Sequence, residues 1–138
     1  IMISIQTVCV IDDDPIFLYL IKKTIEKSGV SNTTVLHENP INALESLKKT
    51  ILEQGAFPEI ILLDINMHHM DGWDFLDTLL PYIIVAGIKT SIYIASSSIA
   101  AEDKLKAKTY PAIKGYLVKP IDNEKLFEII NGFGLFNN

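Results

Sequence analysis

The sequence predicts an α/β fold in which a parallel sheet is covered by helices on both faces. Short runs of β-branched and apolar residues alternate five times with segments of helical spacing, as in consecutive βαβ units. The runs Val8–Ile11 and Ile60–Leu63 are apolar throughout, which is typical of strands buried on both faces. With 138 residues, 49% of them hydrophobic, the chain has the size and composition of one folded domain.

Five segments have the length and composition of strands, and helical segments follow each of them. The predicted strands are Thr7–Ile11, Thr33–His37, Ile60–Leu63, Ser91–Ala95 and Gly115–Val118.

The first two helices have both start and stop signals. Asp14-Pro15 and Asn39-Pro40 each read as an N-cap followed by a first-turn proline, while Ser28-Gly29 and Gln54-Gly55 mark the ends. The predicted buried stripes are Ile16, Leu20, Ile21 and Ile25 in the first helix, and Ile41, Leu44, Leu47, Lys48 and Ile51 in the second, with the lysine at its edge.

The remaining helices have weaker boundaries. A third helix is predicted from Asp71-Gly72 to about Leu80, and the apolar segment Pro81–Lys89 is interpreted as its extension, packing back on the body. The fourth helix is predicted from Glu102 to Thr109, before Pro111. The fifth is predicted from Asn123 to Ile130, fraying at Gly132 and Gly134.

Composition excludes several classes of function. The net charge of −5 and the lack of a basic run argue against a nucleic-acid partner. The one cysteine, Cys9, falls in an apolar strand, which indicates a buried reduced thiol and excludes a disulfide framework. We find no signal peptide, membrane-spanning run or lipidation motif, so we expect a soluble cytoplasmic protein that does not engage membranes.

Polar residues follow four of the predicted strands. In an open parallel sheet, ligands bind beyond the carboxyl ends of the strands, so these residues are the candidates for chemistry. They are Asp12, Asp13 and Asp14 after the first strand, Asp64 after the third, Ser96, Ser97 and Ser98 after the fourth, and Lys119 with Pro120 after the fifth.

The residue types at this edge are those of a cation and phosphoryl pocket. Neighbouring carboxylates repel one another unless a cation lies among them, and Mg²⁺ prefers oxygen ligands. Each piece alone also has an ordinary explanation. An aspartate run before a helix is more often a solvated cap, and serine runs or Lys-Pro usually mark loops and turns. Their joint position favours the pocket.

The chain resembles the response regulator receiver domains of the CheY-like family over essentially its whole length. The matching motifs are VIDDDP (10–15), ILLDINMHHMDG (61–72), IYIASSS (92–98) and GYLVKP (115–120). The resemblance implies a flavodoxin-like, doubly wound sheet of five parallel strands in the order 2-1-3-4-5, with five flanking helices. It also implies one receiver domain over residues 1–138, with a core of about 6–131, a short C-terminal tail and no output domain after Phe136.

Site roles also follow from the resemblance. Asp64 matches the phosphoacceptor, and Lys119, after which a cis bond to Pro120 is implied, matches the pocket lysine. The implied ligands of Mg²⁺ (or Mn²⁺) are Asp12 through water, Asp13 directly, Asp64, and the backbone carbonyl of Asn66. The implied switch residues are Ser96 and Tyr116.

The implied function is a two-component phosphorelay switch. A sensor histidine kinase or His-phosphotransfer protein would donate a phosphoryl group to Asp64, and Ser96 would then draw its loop inward and let Tyr116 turn in. The output would be a downstream protein, or another receiver, bound at the face of helix 4, strand 5 and helix 5. Apart from self-phosphorylation and autodephosphorylation at Asp64, no enzymatic activity is implied.

One departure and three alternatives remain. His68 stands where the family motif normally has proline, which puts the rigidity of that loop in question; we expect His68 and His69 to be exposed rather than metal ligands. A phosphorylation-independent pseudo-receiver is the main alternative. An aspartyl phosphatase would need Asp-x-Asp after the first strand and an inserted cap, and a flavin module would need a phosphate loop in place of three aspartates.

Overall fold

A computed structural model describes residues 5–131 of the chain. Strands and helices alternate along that range, and five strands form one parallel sheet in the order β2-β1-β3-β4-β5. This confirms the flavodoxin-like α/β fold and its implied strand order. The strands are β1 Ile5–Ile11, β2 Ser31–His37, β3 Ile60–Leu63, β4 Ser91–Ser96 and β5 Ile113–Val118.

The first two helices begin at their predicted capping residues, Asp14 and Asn39, and the third and fifth are capped by Asp71 and Asp122 in the same way. The side chains of Asp14, Asn39, Asp71 and Asp122 accept hydrogen bonds from backbone amides of the first turns that follow them. The helices are α1 Pro15–Ser28, α2 Pro40–Leu52, α3 Gly72–Ala86, α4 Ala101–Lys108 and α5 Asn123–Ile130.

The segment after Leu80 continues α3, as predicted, although Pro81 lies inside the helix. The helix ends at Ala86, short of the predicted end at Lys89, and its cap Gly87 adopts the left-handed conformation (φ 66°) that glycine tolerates best. Only one side of the extension packs on the body. Ile83 is buried, whereas Ile84 and Val85 are 73% and 89% exposed.

The sheet separates two apolar clusters. Alternate strand residues point to opposite faces, so Cys9 and Ile11 pack with α2, α3 and α4 while Val8 and Val10 pack with α1 and α5. Cys9 is a fully buried free thiol, as predicted, and burial raises its pKa to about 12.

The predicted stripe of α1 was partly wrong. Ile16 and Leu20 are 69% and 55% exposed, and Phe17 and Leu18 are buried instead, together with the predicted Ile21 and Ile25. The chain is apolar at every position from 16 to 21, so helical periodicity alone allows two overlapping faces. In α2 the predicted Ile41 is likewise 40% exposed, while Leu44 and Leu47 are buried.

The predictions for the C-terminal end of the chain fall outside the residues that the structure describes. The fraying at Gly132 and Gly134 and the C-terminal tail lie outside the residues that the structure describes. Within residues 5–131, no helix is both long and apolar enough to cross a bilayer.

Candidate functional site

The carboxyl ends of β1 and β3 bring the key aspartates together. Because β1 and β3 are paired in parallel, Asp12 and Asp64 leave neighbouring strands at the same edge of the sheet. The Asp64 amide donates to the Ile11 carbonyl at 3.0 Å, which continues the strand pairing by one residue and fixes where the Asp64 side chain starts.

Three acids form a cluster at this edge. Asp12, Asp13 and Asp64 each offer a carboxylate oxygen, and these oxygens all lie within 4.8 Å of one another. Asp12 and Asp64 are only 1% and 6% exposed, while Asp13 lies at the rim. Buried like charges at this separation repel strongly, so the cluster needs cationic partners.

Lys119 supplies one positive charge. Its ammonium nitrogen lies 2.5 Å from Asp12 Oδ2 and 3.8 Å from Asp64 Oδ2, and its side chain is 14% exposed. The Lys119 amide donates to the Ser96 carbonyl at 2.9 Å, and the bond to Pro120 is cis, as the resemblance implies. The ammonium also lies 4.2 Å from the centre of the Phe17 ring, a cation–π contact that covers it from the α1 side.

Burial changes the acidity of the cluster. Burial, and next the charge of Asp12, raise the pKa of Asp64 to about 6, against the opposing effect of Lys119. Burial also raises the pKa of Asp12. Burial acts in the same direction on Asp13, but hydrogen bonds from the amide and the ring of His68 outweigh it and lower the pKa of that carboxyl.

His68 makes a contact that the sequence analysis did not predict. Its backbone amide and its ring Nδ1 both lie 2.7 Å from Asp13 Oδ2. The predicted exposure is confirmed, since 89% of the His68 side chain is accessible, but the ring is nevertheless tied to the acidic cluster. The only sequence signal was the histidine at the position where the motif normally has proline.

The other predicted site residues lie around the cluster. Ser96 is fully buried at the end of β4, beside β3, and its Oγ accepts from the Ser98 amide at 3.1 Å. The Asn66 amide lies 3.4 Å from Asp64 Oδ1, which places Asn66 next to the acid; the metal contact of its carbonyl stays a prediction.

Tyr116 lies inward. Its side chain is 5% exposed, packs in the cluster with α3 and α4, and donates from its hydroxyl to the Ser98 carbonyl at 2.9 Å. Ser98 Oγ in turn donates to Asp103 at 2.6 Å. The loop between β4 and α4 is thereby tied both to β5 and to the first turn of α4.

The family comparison agrees with this geometry. Residues 8–131 match the model of the response regulator receiver domain. The chain belongs to this family. Receivers are signalling domains of two-component systems rather than true enzymes, and they bind Mg²⁺ in an acidic pocket. The cluster of Asp12, Asp13 and Asp64 has the oxygen donors that such an ion requires.

Two relatives match most of this chain. The chain is 35% identical over 113 residues to protein-glutamate methylesterase/protein-glutamine glutaminase 3 of Burkholderia thailandensis, covering 82% of this chain and 29% of that protein. It is 27% identical to an uncharacterized 14.6 kDa protein of Leptolyngbya boryana, covering 93% of this chain and 89% of the other. The chain therefore spans less than a third of the methylesterase's own length.

Solved structures show the same fold. A two-component response regulator from Cytophaga hutchinsonii superposes with a TM-score of 0.85 at 26% identity, covering 93% of this chain and 96% of that one. The chemotaxis protein CheY4 of Vibrio cholerae superposes with a TM-score of 0.71 at 23% identity, covering 93% and 98%.

Proposed function

We propose that this receiver accepts a phosphoryl group on Asp64 from a phosphohistidine and thereby switches its protein-binding face. The observation that carries the proposal is the position of the Lys119 ammonium between two buried carboxylates, 2.5 Å from Asp12 and 3.8 Å from Asp64, beside the rim acid Asp13. The phosphodonor is a sensor histidine kinase or a His-phosphotransfer protein in the cytoplasm.

Phosphoryl transfer to Asp64 depends mainly on the positioning of the reacting groups and on neutralisation of their charge. A carboxylate oxygen of Asp64 forms the new P–O bond while the P–N bond to the donor imidazole breaks, and the imidazole leaves with the electron pair. With a pKa of about 6, Asp64 is mostly ionised at neutral pH and can act as the nucleophile. Lys119 offsets the charge on the transferred group. Water later attacks the phosphorus of the acyl phosphate, the P–O bond to Asp64 breaks, and inorganic phosphate leaves while the Asp64 carboxylate is restored.

The acidic cluster would also hold a divalent cation. Mg²⁺ or Mn²⁺ supplies positive charge to the phosphoryl oxygens when bound. When such an ion is bound, Asp13 would hold it directly, Asp12 would act through water, and Asp64 and the Asn66 carbonyl would complete the protein ligands. These roles follow the resemblance to the receiver family, and the clustered oxygens of the three acids and the position of Asn66 beside Asp64 support them.

The switch uses the loop between β4 and α4. Ser96 hydrogen-bonds to the phosphoryl group, and the Ser98 contacts to Tyr116 and Asp103 carry the movement to β5 and α4. The partner, a downstream target or another receiver, binds the face of α4, β5 and α5. Leu105 and Phe127, which are 63% and 49% exposed, provide apolar surface on its two helices.

Trp73 provides a readout of the proposal. It is the second residue of α3, directly after Gly72, and its ring stacks on Tyr110 with a centroid distance of 5.6 Å. Mg²⁺ with beryllofluoride, a phosphoryl mimic, is expected to change Trp73 fluorescence in the native chain and in Asp14→Asn, which keeps a capping side chain. An unchanged response in Asp64→Asn would show that the mimic acts elsewhere.

One observation favours the alternative of a phosphorylation-independent interaction module. Tyr116 already lies inward, with its hydroxyl on the Ser98 carbonyl. A module of that kind does not need a working cation site, so magnesium titration of the native chain separates the two functions. Binding that Asp13→Asn abolishes supports the switch, and the lack of any binding supports the constitutive module.

A further inference from the structure

We propose that His68 is a positioning residue for the cation site: its two hydrogen bonds hold the Asp13 carboxylate among the other two acids and thereby raise the affinity of the site for a divalent cation. The inference rests on the proposed function for the identity of the ion. It concerns a residue at which this chain departs from the receiver motif.

The contact has a defined chemistry. An ionised carboxylate only accepts hydrogen bonds, so the His68 amide and ring Nδ1–H both donate to Asp13 Oδ2, each at 2.7 Å. The proline usual at this position could make neither bond, because it has no amide hydrogen and no polar side chain. This chain therefore has two donors where the motif provides none.

The loop that carries His68 is itself held in place. The His68 carbonyl accepts from the Met70 amide at 2.8 Å, in a turn where His69 adopts a positive φ of 71°. On the far side of the turn, the Gly72 amide donates to the Ile65 carbonyl at 3.0 Å. These bonds fix the backbone on both sides of His68, so its amide meets Asp13 as part of an ordered loop.

The physical effect on the cation follows from repulsion. Asp13 is the least buried member of the acidic cluster, with 21% of its side chain exposed, and it can lower the repulsion by rotating toward water. The two donors oppose this rotation. With the two His68 donors present, the Asp13 carboxylate is in position before the ion binds. Without them, part of the binding free energy is spent on rotating Asp13 back into the site. Loss of such an outer-shell partner typically lowers metal affinity by roughly 10–100-fold.

The same bonds have an opposing effect. They withdraw electron density from Oδ2, which weakens that oxygen as a ligand. They leave the second oxygen of Asp13 free of His68, however, and Mg²⁺ sites commonly take one or two carboxylates with water completing the octahedron. Orientation therefore dominates, and removal of His68 is expected to weaken binding rather than strengthen it.

Calorimetric titration of metal-free protein with Mg²⁺, and separately with Mn²⁺, tests the inference. His68→Pro removes both donors and is expected to weaken binding by about 10-fold or more. His68→Ala removes only the ring and is expected to weaken it less. His68→Asn restores a side-chain N–H donor near the position of Nδ1 and is expected to bind nearly as tightly as the native chain. His69→Asn is the matched control, since asparagine tolerates the positive φ at that position.

Each result of these titrations either supports or overturns the positioning role of His68. Unchanged or tighter binding in both His68→Pro and His68→Ala overturns the inference but leaves the proposed function intact. A native chain that binds neither ion refutes the proposed cation site together with the inference. A merely structural role for His68 would lower affinity in His68→Ala without rescue by asparagine. If His68→Pro does not fold, the alanine and asparagine variants still give the answer.

Discussion

Lys119 donates a 2.5 Å hydrogen bond to Asp12, in a pair of which only 14% and 1% of the two side chains are exposed. Little water reaches either group, so the charge of each is stabilised mainly by the opposite charge of the other. Lys119 therefore pairs with Asp12 rather than with Asp64: its ammonium nitrogen lies 2.5 Å from the Asp12 carboxylate and 3.8 Å from that of Asp64.

Removal of the Lys119 charge is expected to destabilise the metal-free fold. Lys119→Met leaves Asp12 buried without its partner, and loss of one member of a buried ion pair typically costs about 3–5 kcal/mol. The double variant Lys119→Met with Asp12→Asn is expected to recover most of this loss. Urea unfolding measures both, with Lys22→Met, at an exposed position of α1, as the control. Equal losses in the single and double variants would contradict the pairing.

The stability of the metal-free protein is expected to fall as pH rises through the titration of Asp64. Its folded pKa of about 6 lies above the ordinary aspartate pKa of 3.8, so the folded state binds the proton more tightly. The contribution is complete below pH ~3.8 and lost by pH ~6–7. At about 1.4 kcal/mol per pH unit, the difference amounts to about 3 kcal/mol. Unfolding in a chelator at several pH values tests this against Asp64→Asn, in which the part of the decline that Asp64 contributes is expected to disappear.

Gly72 is expected to tolerate no side chain. A Cβ there would lie 2.5 Å from the Asp64 carbonyl and 2.8 Å from Ile65 Cα, so backbone next to the acid would have to move. Gly72→Ala is expected to lose about 1–3 kcal/mol of stability and to weaken Mg²⁺ binding. Gly55→Ala is the matched control, because its Cβ would meet its nearest neighbour at 3.4 Å. Equal effects of the two substitutions would show that α3 has room to shift.

The hydroxyl of Tyr116 is expected to stabilise the loop between β4 and α4. Tyr116→Phe keeps the buried ring but removes the 2.9 Å hydrogen bond to the Ser98 carbonyl. The expected loss is about 0.5–1.5 kcal/mol. Hydrogen exchange is expected to accelerate at the Ser98 and Ala100 amides, both of which are bonded within this loop. Tyr19→Phe, at an exposed position, is the control; unaltered exchange in Tyr116→Phe would assign the loop's order to other contacts.

The sequence predicted which polar residues share one edge of the sheet better than it predicted the buried faces of the helices. Asp12, Asp64 and Lys119 lie close together because residues that follow parallel strands share one edge of the sheet. The strand order then determines which of these residues are neighbours. In α1, by contrast, six consecutive apolar residues fit two faces, and only packing against the sheet selects Phe17 and Leu18.

The contact between His68 and Asp13 lay beyond sequence reasoning. The two residues are 55 positions apart, and their bond depends on the backbone of a loop and on one side-chain rotamer. Periodicity and capping rules describe local structure, so they specify neither the backbone path of that loop nor the rotamer of the His68 side chain. The resemblance identified the proline departure but could not say what the histidine would touch.

Mass spectrometry of the intact chain after incubation with acetyl phosphate and Mg²⁺ tests the assignment of Asp64 most directly. The account predicts that the native chain and Asp14→Asn each gain one phosphoryl group, that fragmentation places it on Asp64, and that Asp64→Asn gains none. A phosphoryl group carried by Asp64→Asn to the same extent, or mapped to another residue of the native chain, would contradict it.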